Sequence, residues 1–138
     1  MQCVRMEKPL SNNTYVFGDA IDSEYIIDLY AGDYVMIEET FTDVLREYDE
    51  FVQRIITTYH EGDLAGLKSA IHKLKPLFGF VGLTWHQAQC LAFENGCPAM
   101  TPAQLADAFP PFQSALLEAK SIIEKEEQRL AKFNAAQG

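Results

Sequence analysis

The sequence predicts an all-α protein: an up-down-up-down four-helix bundle preceded by one short extra helix. Three observations predict it. Apolar residues recur three and four apart along most of the chain, the period of a helix that buries one face. The connections are short and place Gly, Asn or Pro beside Asp or Thr, which makes successive helices antiparallel neighbours. No strand-like alternation, internal repeat or second domain interrupts the 138 residues, a length that suits one domain with a substantial core.

Residues 1–18 lack periodicity and contain Pro9, a Ser-Asn-Asn run and Gly18, so they read as a loosely attached arm ahead of a bundle over 19–138. Asp22 or Ser23 caps a short helix carrying Tyr25, Ile26, Leu29 and Tyr30 and ending at Gly32. Asp33 caps the most regular helix, in which Tyr34, Ile37, Phe41, Val44, Tyr48, Phe51, Ile55 and Tyr59 form the stripe and Leu45, Val52 and Ile56 widen it. Gly62 stops that helix and Asp63 caps the next, which runs from about Leu64 to Phe80. Pro76 lies inside it, removing one backbone donor, and predicts a kink rather than an end because the stripe continues through Phe78 and Val81. Thr84 and Gln87 read as a capping box for a fourth helix that turns Trp85, Ala88, Leu91 and Ala92 inward and stops at Asn95-Gly96. Thr101-Pro102 restarts a helix, Pro110-Pro111 interrupts it, and the final helix buries Phe112, Leu116, Ala119, Ile122, Ile123, Leu130 and Phe133. Its Glu-Lys-Glu-Glu-Gln-Arg run, 124–129, reads as a solvated face.

Composition narrows the function. Twenty acidic against eleven basic residues give a net charge of -9, which argues against nucleic acid or an anionic membrane as a partner. No apolar run reaches membrane-spanning length and the first residues lack a signal-peptide core, so the expected compartment is the cytoplasm. Three cysteines without Cys-x-x-Cys spacing read as reduced thiols, Cys90 buried and Cys97 in a loop. Neither a phosphate-cradling glycine loop nor a dinucleotide fingerprint occurs, and the histidines have no zinc or Glu-x-x-His spacing. No cofactor or metal is expected. His60, beside a helix C-terminus, reads as structural, and His86 as exposed.

His72 stands apart. The stripe Leu64, Leu67, Ile71, Leu74, Phe78 leaves it on the opposite face, with Lys68 four residues before, Lys75 three after and Gly79 seven after. An exposed neutral imidazole is a nucleophile, and once phosphorylated it carries close to two negative charges that cations within a helical turn stabilise. Lys75 and Lys68 are placed for that role. Gly79 keeps the neighbouring surface flat, and Ser69, Pro76, Gly79 and Gly82 are the expected docking residues.

His72-Lys-Leu-Lys75, Gly79, and Val81-Gly82-Leu83 together resemble the signature of histidine-containing phosphotransfer (HPt) domains. Residues 22–133 resemble the layout of that family, with the specific part at 63–83 and one departure, Pro76, where the family usually has Gly. The resemblance implies a phosphorelay intermediate that is not itself a kinase or other enzyme. His72 would accept a phosphoryl group from a receiver-domain aspartate of a sensor or hybrid histidine kinase. It would pass the group to a response-regulator receiver, with the metal and the catalytic aspartate supplied by the partner. The resemblance also makes Lys75 the first candidate for phosphoryl stabilisation. A monomer is the expected state. The rival expectations are an HPt-like module that docks a receiver and inhibits it without chemistry, and a structural bundle that oligomerises.

Overall fold

The computed structural model describes residues 14–137. Five helices follow in order: α1 Ser23–Tyr30, α2 Tyr34–His60, α3 Leu64–Phe80, α4 Thr84–Gly96 and, after a 3-10 turn at Cys97–Ala99, α5 Pro102–Gln137. No strand occurs among the described residues.

Local chemistry starts the first three helices where the sequence predicts. The carboxylates of Asp22, Asp33 and Asp63 accept from the backbone N–H groups of Tyr25, Met36 and Gly66 at 3.2, 3.0 and 2.8 Å. α5 opens with a reciprocal box: Gln104 N–H donates to Thr101 Oγ1 at 3.2 Å, and the Gln104 side chain accepts from Thr101 N–H at 2.9 Å. α2 buries Ile37, Phe41, Val44, Tyr48, Val52 and Ile55 between α3 and α5. The Tyr48 hydroxyl donates to the Leu116 carbonyl at 2.6 Å, Tyr59 stacks on Phe109, and Asn134 donates to the Tyr34 carbonyl at 3.0 Å. Those contacts run in opposite order along the two chains, so α2 and α5 are antiparallel.

Four sequence expectations are corrected. First, residues 14–18 are packed rather than loose, while 1–13 lie outside the described residues. Tyr15 and Phe17 are buried with Tyr34 and Phe133, and buried Glu126 accepts from the Tyr15 hydroxyl and from Gly18 N–H. Arg129 ties in both Glu126 and the Val16 carbonyl, each at 2.7 Å, so Glu126 does not belong to a solvated face. Second, Pro110-Pro111 does not interrupt α5. The two carbonyls that lose their donors are a small loss beside the buried Phe109 and Phe112 rings on either side.

Third, α4 is rotated from the predicted face: Trp85, Ala88, Leu91 and Ala92 are exposed, and His86, Cys90, Phe93 and Glu94 point inward. Leu83, fully buried, is its N-cap, and Thr84 makes no capping bond: Gln87 N–H donates to the Leu83 carbonyl at 2.9 Å, and the Gln87 side chain is turned toward Gly79. Fourth, Cys97 is buried rather than in an open loop. α3 runs unbroken through Pro76.

Candidate functional site

α3 is anchored by Leu67, Ile71, Leu74 and Phe78, all fully buried, so every residue half a turn away is forced outward. His72 is one of these, its side chain 65% exposed. Lys68, Ser69, Lys73 and Pro76 are exposed on the same helix. All the formal charge on Leu64–Phe80 is positive, three lysines and no acid, in a protein of net charge -9. The helix is thus a basic stripe on an acidic molecule.

The sequence reading missed the residue that organises this stripe. Glu94 of α4 is buried, its side chain 10% exposed, and both oxygens reach α3: Oε2 lies 2.8 Å from His72 Nδ1 and Oε1 accepts from Lys75 Nζ at 2.8 Å. Burial opposes ionisation of Glu94, but the hydrogen bonds from Lys75 and His72 outweigh it and hold the carboxyl below its usual range. An ionised carboxylate can only accept, so the hydrogen of this contact sits on Nδ1. The lone pair is then on Nε2, the ring nitrogen to which no described residue is hydrogen-bonded. One carboxylate therefore sets the tautomer of the neutral ring, orients it and leaves Nε2 as the nitrogen not engaged by Glu94.

Lys75 sits differently from its expected role. Its side chain is 19% exposed and its ammonium is held by Glu94, whereas Lys68, one turn before the histidine, is exposed. The glycines are corrected more sharply. Gly79 is buried, and a Cβ there would come within 2.9 Å of Gln87 Nε2, so its bareness admits a side chain of α4 rather than a partner. Gly82, also buried, has φ +72°, and a Cβ would lie 2.3 Å from Ile26 Cγ1. It serves the α3–α4 turn and the seat of α1. Of the four expected docking residues, only Ser69 and Pro76 are exposed.

Next to Pro76 the surface is apolar. Tyr25, Leu29 and Phe80 are 41%, 48% and 48% exposed and, with Tyr30, Gly79 and Gln87, line a shallow depression between α1, α3 and α4. Tyr30 fixes its floor by donating to the Phe80 carbonyl at 2.8 Å. Among the described residues no group of three or more His, Cys, Asp or Glu side chains could hold a metal ion, and no helix is long and apolar enough to cross a membrane.

No protein-family model, curated protein or solved structure matches the chain.

Two signals in the sequence pointed to Glu94. It is the one Asp, Glu, Lys or Arg in Thr84–Gly96, and it neighbours an alternative stripe, Leu83, His86, Cys90, Phe93 and Cys97, spaced by three and four. That stripe carries a histidine and two cysteines, whereas the one through Trp85, Ala88, Leu91 and Ala92 carries neither residue type.

Proposed function

We propose that the chain is a phosphorelay intermediate built as an up-down-up-down four-helix bundle with a short leading helix, and that His72 Nε2 carries the phosphoryl group. The observation that carries this reading is the exposed His72 imidazole with its Nδ1 held by buried Glu94, on a helix whose charges are all positive. A phosphorylated aspartate of a receiver domain presents an acyl phosphate. Nε2 attacks phosphorus in line, the P–O bond breaks and the aspartate carboxylate leaves. Lys68 and Lys73 offer mobile ammonium groups to the transferred phosphoryl oxygens. Lys75 acts through Glu94, as a positioning residue. Pro76, Phe80, Tyr25 and Leu29 form the apolar seat beside the ring on which the receiver docks, so docking rests on apolar contact although both partners are acidic.

The test is transfer of label from a phosphorylated receiver domain to wild type and to His72→Gln. Wild type should take an acid-labile, base-stable label and the variant none, with melting temperature nearly unchanged, because His72 is 65% exposed and outside the core and the Gln amide can still donate toward Glu94. Receiver binding by both proteins without label on either would replace this reading with a docking inhibitor.

A further inference from the structure

The Glu94–His72 contact has a consequence for the phosphorylated state, and the inference rests on the functional reading above. When Nε2 of a neutral imidazole attacks phosphorus, both ring nitrogens are substituted and the ring becomes a phosphoimidazolium that still bears its Nδ1 proton. In water such a ring can shed that proton. The neutral product would then have to expel imidazolate, a very poor leaving group, in the next transfer. We propose that Glu94 keeps the proton on Nδ1 throughout the cycle, so that the phosphoryl group on His72 stays chemically labile and can leave in either direction.

The geometry carries this. Glu94 Oε2 is 2.8 Å from Nδ1, and a deprotonated Nδ1 would point its lone pair at a buried carboxylate, a repulsive contact with little water to relieve it. The protonated ring instead forms a charge-assisted hydrogen bond in a half-buried setting. The bookkeeping is simple. Loading breaks the aspartyl P–O bond, forms Nε2–P and expels a carboxylate. Unloading breaks Nε2–P, expels neutral imidazole with its Nδ1–H, and forms a P–O bond to the acceptor. No proton crosses the site in either step.

The other charged and titratable groups around the pair set the strength of the effect. On α3 these are Lys75, which takes the second oxygen of Glu94 at 2.8 Å, and Lys68. On the α4 side Cys90 and Cys97 face the cluster as thiols, kept neutral chiefly by burial. Lys75 competes with the ring for the carboxylate. Removing Lys75 should strengthen the hold on the Nδ1 proton, and neutralising Glu94 should abolish it.

The experiment loads His72 chemically with phosphoramidate, which needs no receiver, and follows loss of the phosphohistidine signal by 31P NMR between pH 5 and 9. Glu94→Gln, of the same shape but neutral, should carry a phosphoryl group that outlives wild type's about tenfold near pH 8, the effect of losing about 1.4 kcal/mol of charge-assisted stabilisation of the protonated ring. Lys75→Met should shift the half-life the other way. Two variants of one contact with opposite signs separate proton retention from mere loosening of α4, which would move both together. Equal half-lives and pH profiles for wild type and Glu94→Gln would overturn the proposal, as would a shift of both variants in the same direction or failure of phosphoramidate to label His72. Because no receiver is used, equal half-lives leave relay function standing. Conversely, receivers that never load His72, with half-lives that still separate, would remove the relay and keep the Glu94 chemistry.

Discussion

His72 and Cys90 show how a helix assigns opposite fates to reactive side chains. His72 points away from the core of α3 and keeps one nitrogen open to solvent, while Cys90 lies on the buried face of α4, 0% exposed. Burial pushes the Cys90 thiol up to about 12, only partly offset by the nearby Lys75 ammonium. A thiol so rarely ionised is a poor nucleophile. Native protein at pH 8 should therefore leave Cys90 unmodified by iodoacetamide over hours, with full alkylation on addition of guanidinium. Mapping the adducts by peptide mass spectrometry checks this, and rapid native labelling of Cys90 would mean that α4 opens readily. The same residue-scale logic explains why Lys75 and Lys68 differ. Two lysines one turn either side of His72 look equivalent in sequence, but only Lys75 lies within reach of Glu94.

At the scale of elements, the α3–α4 turn is the most constrained joint. Gly82 N–H and Leu83 N–H close the end of α3 by donating to the Gly79 and Phe78 carbonyls at 3.3 and 2.9 Å. The Gly82 carbonyl accepts from Asp22 N–H at 2.8 Å, which ties the start of α1 to the same turn. Gly82→Ala meets two penalties, a left-handed φ of +72° and a Cβ 2.3 Å from Ile26 Cγ1. Gly32 has nearly the same φ, +71°, with nothing within 4 Å of a Cβ. Chemical denaturation should show a loss of about 1–2 kcal/mol for Gly32→Ala, the left-handed cost alone, and about 2–5 kcal/mol for Gly82→Ala, where overpacking adds to it. Equal losses would mean that α1 yields freely at Ile26. α1 carries Tyr25 and Leu29, so, on the proposed phosphorelay function, Gly82→Ala should also weaken receiver docking while leaving chemical phosphorylation of His72 intact.

For the molecule as a whole, pH tests how the helices are held together. His86 is buried between α4 and α5, with no hydrogen-bond partner for Nδ1 among the described residues and Nε2 3.3 Å from Glu118 Oε1. Burial lowers its affinity for a proton below the ordinary 6.5, outweighing the help from Glu118. Within that window the unfolded chain binds more protons than the folded one. The contribution of His86 is full above pH 6.5 and is lost as pH falls toward the folded value. Glu94 acts lower down: its folded value lies below the ordinary 4.5, so its contribution is present above 4.5 and is lost as pH falls through the folded value. Melting temperature should decline in two separate stages on acidification. His86→Leu should remove the first and keep the second, which thermal unfolding monitored by circular dichroism at pH 7.5, 5.5 and 3.5 will show. A variant that retains the first stage would place its origin elsewhere.

The sequence by itself determined what depends on neighbours three or four residues away. Aspartates at 22, 33 and 63 start helices, a stripe over Tyr34–His60 buries a broad face, and the stripe of α3 leaves His72 outside, because caps and faces are properties of one helical turn. Only the tertiary structure decided matters in which distant segments compete for the same space. α4 offers two stripes, and the one with Trp85 stays exposed because buried Leu83, the Gln87 contact over Gly79 and the Glu94 pair fix its rotation against α3. Pro110 and Pro111 are breakers in a local reading, yet the apolar contacts of Phe109 and Phe112 carry α5 through them. Residues 14–18 have no period of their own and are ordered by Glu126 and Arg129, more than a hundred positions later. The partner of His72 is of this kind as well. Glu94 lies 22 residues downstream, and only the folding of α4 against α3 gives an isolated surface histidine an oriented ring.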